Sequence, residues 1–211
     1  MKKADAHEFF RRLRAENPDP KSDLEYTNAY TLLVAVALSA QATDAGVNKA
    51  THDLFKIVDT PQAMLNLGEA GLKEHIKTVG LYNTKAKNVI AAAKILVDEY
   101  GGEVPNTRED LMRLPGVGRK TANVVLNIIF GQPAMAVDTH IFRVSNRTGL
   151  AKGKTPDAVE QALYKAVPDE FALGAHHWLI LHGRYTCKAR TPLCGDCIVR
   201  DLCAFKDKVG S

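Results

Sequence analysis

Eight consecutive residues, Leu114-Pro115-Gly116-Val117-Gly118-Arg119-Lys120-Thr121, carry the types and spacing from which chemistry is most readily built. Thr107-Arg108-Glu109-Asp110 upstream reads as the capped start of a short helix, with Thr107 placed to accept from the amide three residues on and acids filling the first turn. Pro115 stops that helix, and Gly116 and Gly118 permit a tight turn with amides exposed and no Cβ in the way. The run from Lys120 to Phe130 then reads as a largely buried helix ended by Gly131. Outward amides of Gly116, Gly118 and the first helical turn would form an anion site suited to phosphate. The spacing is not that of a nucleotide-binding P-loop, so a backbone phosphate of DNA is the better fit. Lys120 sits where an ammonium meets the positive end of the helix dipole and the charge of Arg119; both favour the neutral, nucleophilic amine. A surface lysine that merely contacts phosphate fits the spacing equally well.

The cysteines form a second constellation. Cys187, Cys194, Cys197 and Cys203 are the only four in the chain and fall within its last part, with intervals of six, two and five residues. Four thiols packed in this way read as a metal site rather than as two disulfides, since nothing in the chain suggests export. Zinc and an iron–sulfur cluster both accept four thiolates. A single Cys194-Gly195-Asp196-Cys197 knuckle, where zinc ribbons tend to carry two, tilts the reading toward iron–sulfur. Lys188 and Arg190, between the first two cysteines, could turn such a site into a basic loop.

Almost everything around these residues reads as helix. With 211 residues, 45% of them hydrophobic and 25% charged, the composition is that of a soluble globular chain, and a net charge of +4 permits a polyanion partner without requiring one. Thr31 to Leu38 is apolar on every side, which marks a central buried helix and is far too short to span a bilayer. The N-terminus mixes acids and bases as an amphipathic helix does, not as a signal peptide, so a cytoplasmic protein is expected. Asp44 is expected to cap one helix, and Thr60-Pro61 opens a short one. A further short segment covers Glu69 to Lys77, Asn83 to Tyr100 forms a long one, and Thr155-Pro156 starts another. Asp138 begins a helix as an N-cap, and Asp169 to His182 is expected as one last long helix. His176, His177 and His182 have no familiar metal-ligand spacing. The break at Gly131-Gln132-Pro133 is the best boundary.

Taken in order, Leu38 to Asp44, Leu114 to Thr121, Val137-Asp138-Thr139-His140, His177 to Arg184 and the four cysteines resemble the bacterial endonuclease III family, helix-hairpin-helix DNA glycosylases with lyase activity. The resemblance covers essentially the whole chain. It implies an all-α fold of two domains flanking a DNA-binding cleft. A six-helix bundle would span 22–132, with the helix-hairpin-helix at about 107–130. A discontinuous domain, 1–21 with 133–211, would carry a four-iron four-sulfur cluster on Cys187, Cys194, Cys197 and Cys203.

By position, the resemblance makes Lys120 the nucleophile and Asp138 the catalytic carboxylate. Gln41 and Leu81 correspond to residues that probe the duplex and fill the gap left by an extruded base. Gly116, Val117, Gly118, Arg119, Thr121, His140, Lys188 and Arg190 are the remaining DNA-facing candidates. The cluster loop departs from the pattern at Thr191 and Leu193, where relatives often carry more basic residues.

The expected activity is that of a bifunctional base excision repair enzyme. It would remove oxidised or damaged pyrimidines through a lysine Schiff base and cleave the abasic strand by β-elimination. Its expected partner is double-stranded DNA with a damaged base or an abasic site; it is expected to act as a monomer, away from membranes and near the nucleoid. Two alternatives stand beside this. A monofunctional adenine-mismatch relative generally lacks the motif lysine, which this chain has. A non-catalytic helix-hairpin-helix module would use its cluster only for structure or redox sensing.

Overall fold

Helix α2 (Ala29–Leu38) buries every residue except Ala29 and Ala37, as its all-round apolar sequence requires. Asn28 starts it with a reciprocal capping box: its side chain accepts from the amide of Thr31 at 2.9 Å while the Thr31 hydroxyl accepts from the amide of Asn28. The computed structural model describes residues 1–210, and among them every regular element is helical. The chain divides into two compact units: Ser22–Gly131, and Met1–Lys21 joined to the chain from Gln132 onward.

In the first unit, α2 packs against α3 (Asp44–Thr51), α5 (Tyr82–Tyr100) and α7 (Arg119–Phe130). Helix α4 (Pro61–Ile76) lies along α5 and is interrupted at Gly68, whose φ of 74° breaks it into the two short segments that the sequence suggests. Helix α6 (Arg108–Arg113) packs on α7. One expectation needs correction. Asp44 does not cap α3; the hydroxyl of Thr43 accepts from the amide of Gly46 at 3.1 Å, and Asp44 occupies the first turn, where its charge suits the dipole.

The second unit is built on α1 (Lys3–Glu16), α8 (Thr139–Thr148), α9 (Pro156–Ala166) and α10 (Ala172–Leu181). Phe9, Phe10, Ile141, Val144, Leu163, Phe171, Trp178 and Leu179 form its core. Phe10 stacks on Phe171, and Trp178 donates its indole N–H to the carbonyl of Asn17 at 2.8 Å. The single long helix expected over Asp169 to His182 is three pieces: a 3-10 turn at Asp169–Phe171, α10, and a π turn at His182–Thr186. The π turn has a packing reason. A Cβ on Gly183 would lie 2.8 Å from the Cβ of His140, so only glycine lets the widened turn settle on α8.

Among the described residues, no helix is long and apolar enough to cross a membrane.

Candidate functional site

The hairpin is anchored from both sides. Thr107 accepts from the amide of Asp110 at 3.2 Å to start α6, and Arg108 donates through Nε to the buried Asn123 of α7 at 2.8 Å. Leu111, Leu114 and Val117 are buried, and the amide of Val117 donates to the carbonyl of Leu114 at 3.0 Å. Val117 therefore shapes the turn and spends its amide within it; it has neither a side chain nor an N–H to offer a ligand. Gly116 has a φ of +81°, and a Cβ there would come 3.1 Å from the Cβ of Asn88, so both conformation and space demand glycine. Gly118, with nothing within 4 Å of where a Cβ would sit, is the N-cap of α7 and has no side chain to cap it. Its amide and those of the first turn form the positive end of the helix. Lys120 stands exposed on that turn, beside the half-buried Arg119 and Thr121.

Gln41 and Leu81 lie in the same unit and share a backbone peculiarity. They are the two non-glycine residues with left-handed φ, at 57° and 60°, among the described residues. Such a conformation costs an L-residue about 1–2 kcal/mol and is held by its surroundings. Leu81 is 63% exposed, an unusual fate for leucine. The two residues, together with Lys85, Asn88 and Gly116, line a hollow of about 540 Å³ counting its open mouth. The structure thus brings three sequence-predicted residues, Gln41, Leu81 and Gly116, around one feature.

In the other unit, Asp138 is the N-cap of α8; its Oδ1 accepts from the amide of Ile141 at 2.8 Å. His140 faces Arg143, whose Nη2 lies 3.2 Å from His140 Nδ1 and also donates to the carbonyl of Gly183 at 2.7 Å. Arginine only donates, so Nδ1 is the acceptor and the ring proton sits on Nε2. The far end of α8 grips the cysteine segment. Arg143 Nε donates to the carbonyl of Cys187 at 2.9 Å, and Arg147 donates to the carbonyls of Lys188 and Ala189 at 2.7 and 2.8 Å. Lys188, Ala189 and Arg190 are exposed beyond that grip.

All four cysteines line one cavity of about 360 Å³ counting its open mouth, with Pro192, Val199 and Phe205 among its apolar walls. Burial pushes the Cys197 and Cys203 thiols up, and the neighbouring cysteines add to the shift. Bound cationic metal reverses that preference, because thiolates are its ligands. Four half-buried thiols lining one apolar-walled cavity fit the four-thiolate donor set of an iron–sulfur cluster. When bound, such a cluster cross-links four points of a segment that contains only turns.

Several residues that position these groups are silent in the sequence. Lys85 is buried to 8% exposure, and its Nζ donates to the carbonyl of Leu38 at 2.8 Å. Arg12 links α1 to the carbonyl of Ile198 and to Asp201 at 2.7 and 2.6 Å. For Arg143 and Arg147 a faint signal exists: spaced four apart, they must share one face of α8.

Residues 34–169 match the HhH-GPD superfamily of base excision DNA repair proteins, and the chain belongs to that superfamily. Residues 187–203 match the iron–sulfur binding domain of endonuclease III.

Within the superfamily, the chain is 58% identical over 209 residues to Endonuclease III of Haemophilus influenzae, covering 99% of each chain, with the same values for Endonuclease III of Escherichia coli strain K12. Among solved structures, it is similar to a trapped Endonuclease III–DNA covalent intermediate, an estranged-adenine complex, and to a non-covalent Endonuclease III–DNA complex. Each matches with a TM-score of 0.89 and 43% identity over 97% of this chain and 96% of the other. A thermostable thymine-DNA glycosylase, 24% identical with a TM-score of 0.85, shares the fold. The expectation of an all-α DNA repair enzyme with a four-iron four-sulfur cluster is borne out.

Proposed function

We propose that the protein is a bifunctional DNA glycosylase and abasic-site lyase acting on duplex DNA that contains an oxidised or otherwise damaged pyrimidine, with Lys120 as its nucleophile. The observation that carries this reading is the exposed Lys120 amine on the first turn of a helix that opens from a glycine turn. Helix N-termini attract phosphate, so the hairpin amides of Gly116, Gly118 and the first turn, including those of Arg119 and Thr121, would hold a DNA backbone beside that amine. The relatives named Endonuclease III, one of them trapped as a covalent intermediate with DNA, support a protein nucleophile.

The chemistry follows from the amine. Its nitrogen attacks C1′ of the damaged nucleotide, the C1′–N bond breaks, and the base leaves with the bonding pair and takes up a proton. The sugar opens to a Schiff base; loss of a C2′ proton then expels the 3′ phosphate. Asp138, an N-cap with one oxygen committed to Ile141, is the carboxylate proposed to steady the cationic sugar and to manage the protons.

The Gln41 and Leu81 side chains are proposed to enter the stack as the base leaves it. An exposed leucine on a strained backbone is suited to a wedge. His140, through its Nε2 proton, and the exposed Lys188 and Arg190 are proposed phosphate contacts, and Cys187, Cys194, Cys197 and Cys203 the four cluster ligands. The protein is proposed to act on duplex DNA in the cytoplasm, with the nucleoid, as a monomer.

Borohydride trapping tests the reading. The wild-type protein should become covalently joined to an oligonucleotide with an abasic site, and Lys120→Ala should not. An adduct of equal yield with Lys120→Ala would refute the nucleophile.

A further inference from the structure

One residue holds both of the loops that carry the left-handed Gln41 and Leu81. Lys85 lies near the start of α5, and its backbone amide donates to the carbonyl of Leu81 at 3.0 Å. Its side chain runs the other way, and Nζ donates to the carbonyl of Leu38, the last residue of α2, at 2.8 Å. Gln41 follows three residues later. The loops also abut directly, since a Cβ on Gly80 would lie 3.9 Å from the Gln41 carbonyl.

The charge on this side chain needs a reason. Lys85 is 8% exposed, and burial disfavours its charged form. A methionine, unbranched and only one atom shorter, would fill most of the space without that cost. What the ammonium supplies is a fixed tie at the C-terminal end of α2, where the negative end of the helix dipole favours a cation. The tie sets where the chain leaves α2, and so where Gln41 stands relative to Leu81.

We infer that Lys85 is a positioning residue that sets the spacing of Gln41 and Leu81, so that both enter the DNA stack together. The inference rests on the wedge role proposed above and goes beyond it by naming what holds the wedge in register. Lys85 touches neither the sugar nor the departing base in this role. Its loss should therefore be felt where a base must be drawn out of the stack and not where none is present.

The test uses the full-length holoprotein with two duplexes. One carries an oxidised pyrimidine beside 2-aminopurine, whose fluorescence rises on unstacking; the other carries a ready-made abasic site. Lys85→Met should slow single-turnover excision by about tenfold or more, as small misplacements of a positioning group do, and should weaken the 2-aminopurine signal in step. Cleavage of the abasic duplex should stay within about threefold of wild type, because extrusion is least costly where no base is stacked. Lys85→Arg keeps the donor and should retain most of the excision rate. On a Gln41→Ala/Leu81→Ala background, Lys85→Met should cost less than about threefold, because residues acting as a unit are not additive.

Equal losses on both duplexes, the same tenfold loss on both backgrounds, or no loss at all would overturn the inference. If Lys85→Met does not fold, Lys85→Gln takes its place with the same readouts. If the wild type itself excised nothing, the glycosylase reading would fall. The 2-aminopurine signal would then decide alone, with a weaker signal in Lys85→Met supporting the positioning role and an equal one refuting it.

Discussion

Arg147 holds Lys188 through the backbone, its Nη1 donating to the Lys188 carbonyl at 2.7 Å while Nη2 takes the carbonyl of Ala189 at 2.8 Å. The guanidinium also lies over the ring of Phe205, 4.8 Å from its centre. A charged fork on a regular helix thus fixes the start of a segment that has no helix or strand of its own. Because the carbonyls are held, the exposed side chains of Lys188 and Arg190 are presented outward from a set backbone.

Replacing Arg147 by glutamine should release that presentation while leaving the chemistry intact. The expected result is weaker DNA binding, by about tenfold near physiological salt, with a salt dependence shallower by about one counterion. The excision rate of the bound complex should stay unchanged. Binding isotherms at several salt concentrations with single-turnover rates check this; an unaltered salt slope would remove Lys188 and Arg190 from the interface.

Asp138 caps α8 and is proposed to act at the sugar as well, and the choice of substitution separates the two roles. Asparagine caps helices as well as aspartate does, so Asp138→Asn should keep the bond to the Ile141 amide and melt within about a degree of wild type. Without a carboxylate, its excision rate should fall by about a hundredfold or more while DNA binding persists. Asp138→Ala should lose about 1 kcal/mol as well, or roughly 2–4 °C in melting temperature for a chain of this size. Full excision by the asparagine variant would confine Asp138 to capping.

What the sequence made legible was local. Caps at Thr107 and Asp138, the helix start at Thr155-Pro156, the glycine stop after α7 and the all-apolar α2 follow from nearest-neighbour chemistry and match the structure. Asp44 is not the cap of α3 because Thr43 offers an equally good one a residue earlier, and propensity alone cannot choose between them. The break of the last helix into a π turn depends on His140 packing against Gly183, some forty residues away in sequence, and no local pattern encodes it. The site divides in the same way. Lys120, Asp138 and the cysteines stand in motifs, whereas Lys85, Arg12 and Arg147 act through carbonyls brought near only by folding.

Gly116 and Gly118 should respond differently to alanine, although they stand two residues apart. Gly116→Ala meets both a φ of +81° and Asn88 at 3.1 Å, so it should destabilise the protein by about 1–2 kcal/mol or more and disturb the hairpin. Gly118→Ala meets neither, and should change stability by less than about 1 kcal/mol. Its methyl group would stand in the space a phosphate needs, so DNA affinity should still fall. Thermal melting and binding measured together distinguish the two. Undiminished binding by Gly118→Ala would argue against phosphate capture at this turn.

Glu8 provides a pH test on α1. Its carboxylate accepts from Arg11 Nε and Nη2 at 2.6 and 2.7 Å and from Arg12 Nε at 2.8 Å. These bonds, Arg11 foremost, hold its carboxyl at about 2 against an ordinary 4.5. A depressed carboxylate pKa contributes stability that is fully present above the unfolded value and is lost as pH falls through the folded one. Arg11→Gln should therefore lower the melting temperature slightly at pH 6, and the gap from wild type should close as pH falls from about 4.5 toward 2. The same variant should move the midpoint of the Glu8 carboxyl carbon resonance upward. Arg12→Gln should cost more at neutral pH, because Arg12 also ties α1 to the Ile198 carbonyl and to Asp201. If the Glu8 resonance titrates near 4.5 in the wild type, the paired arginines do not hold it in solution.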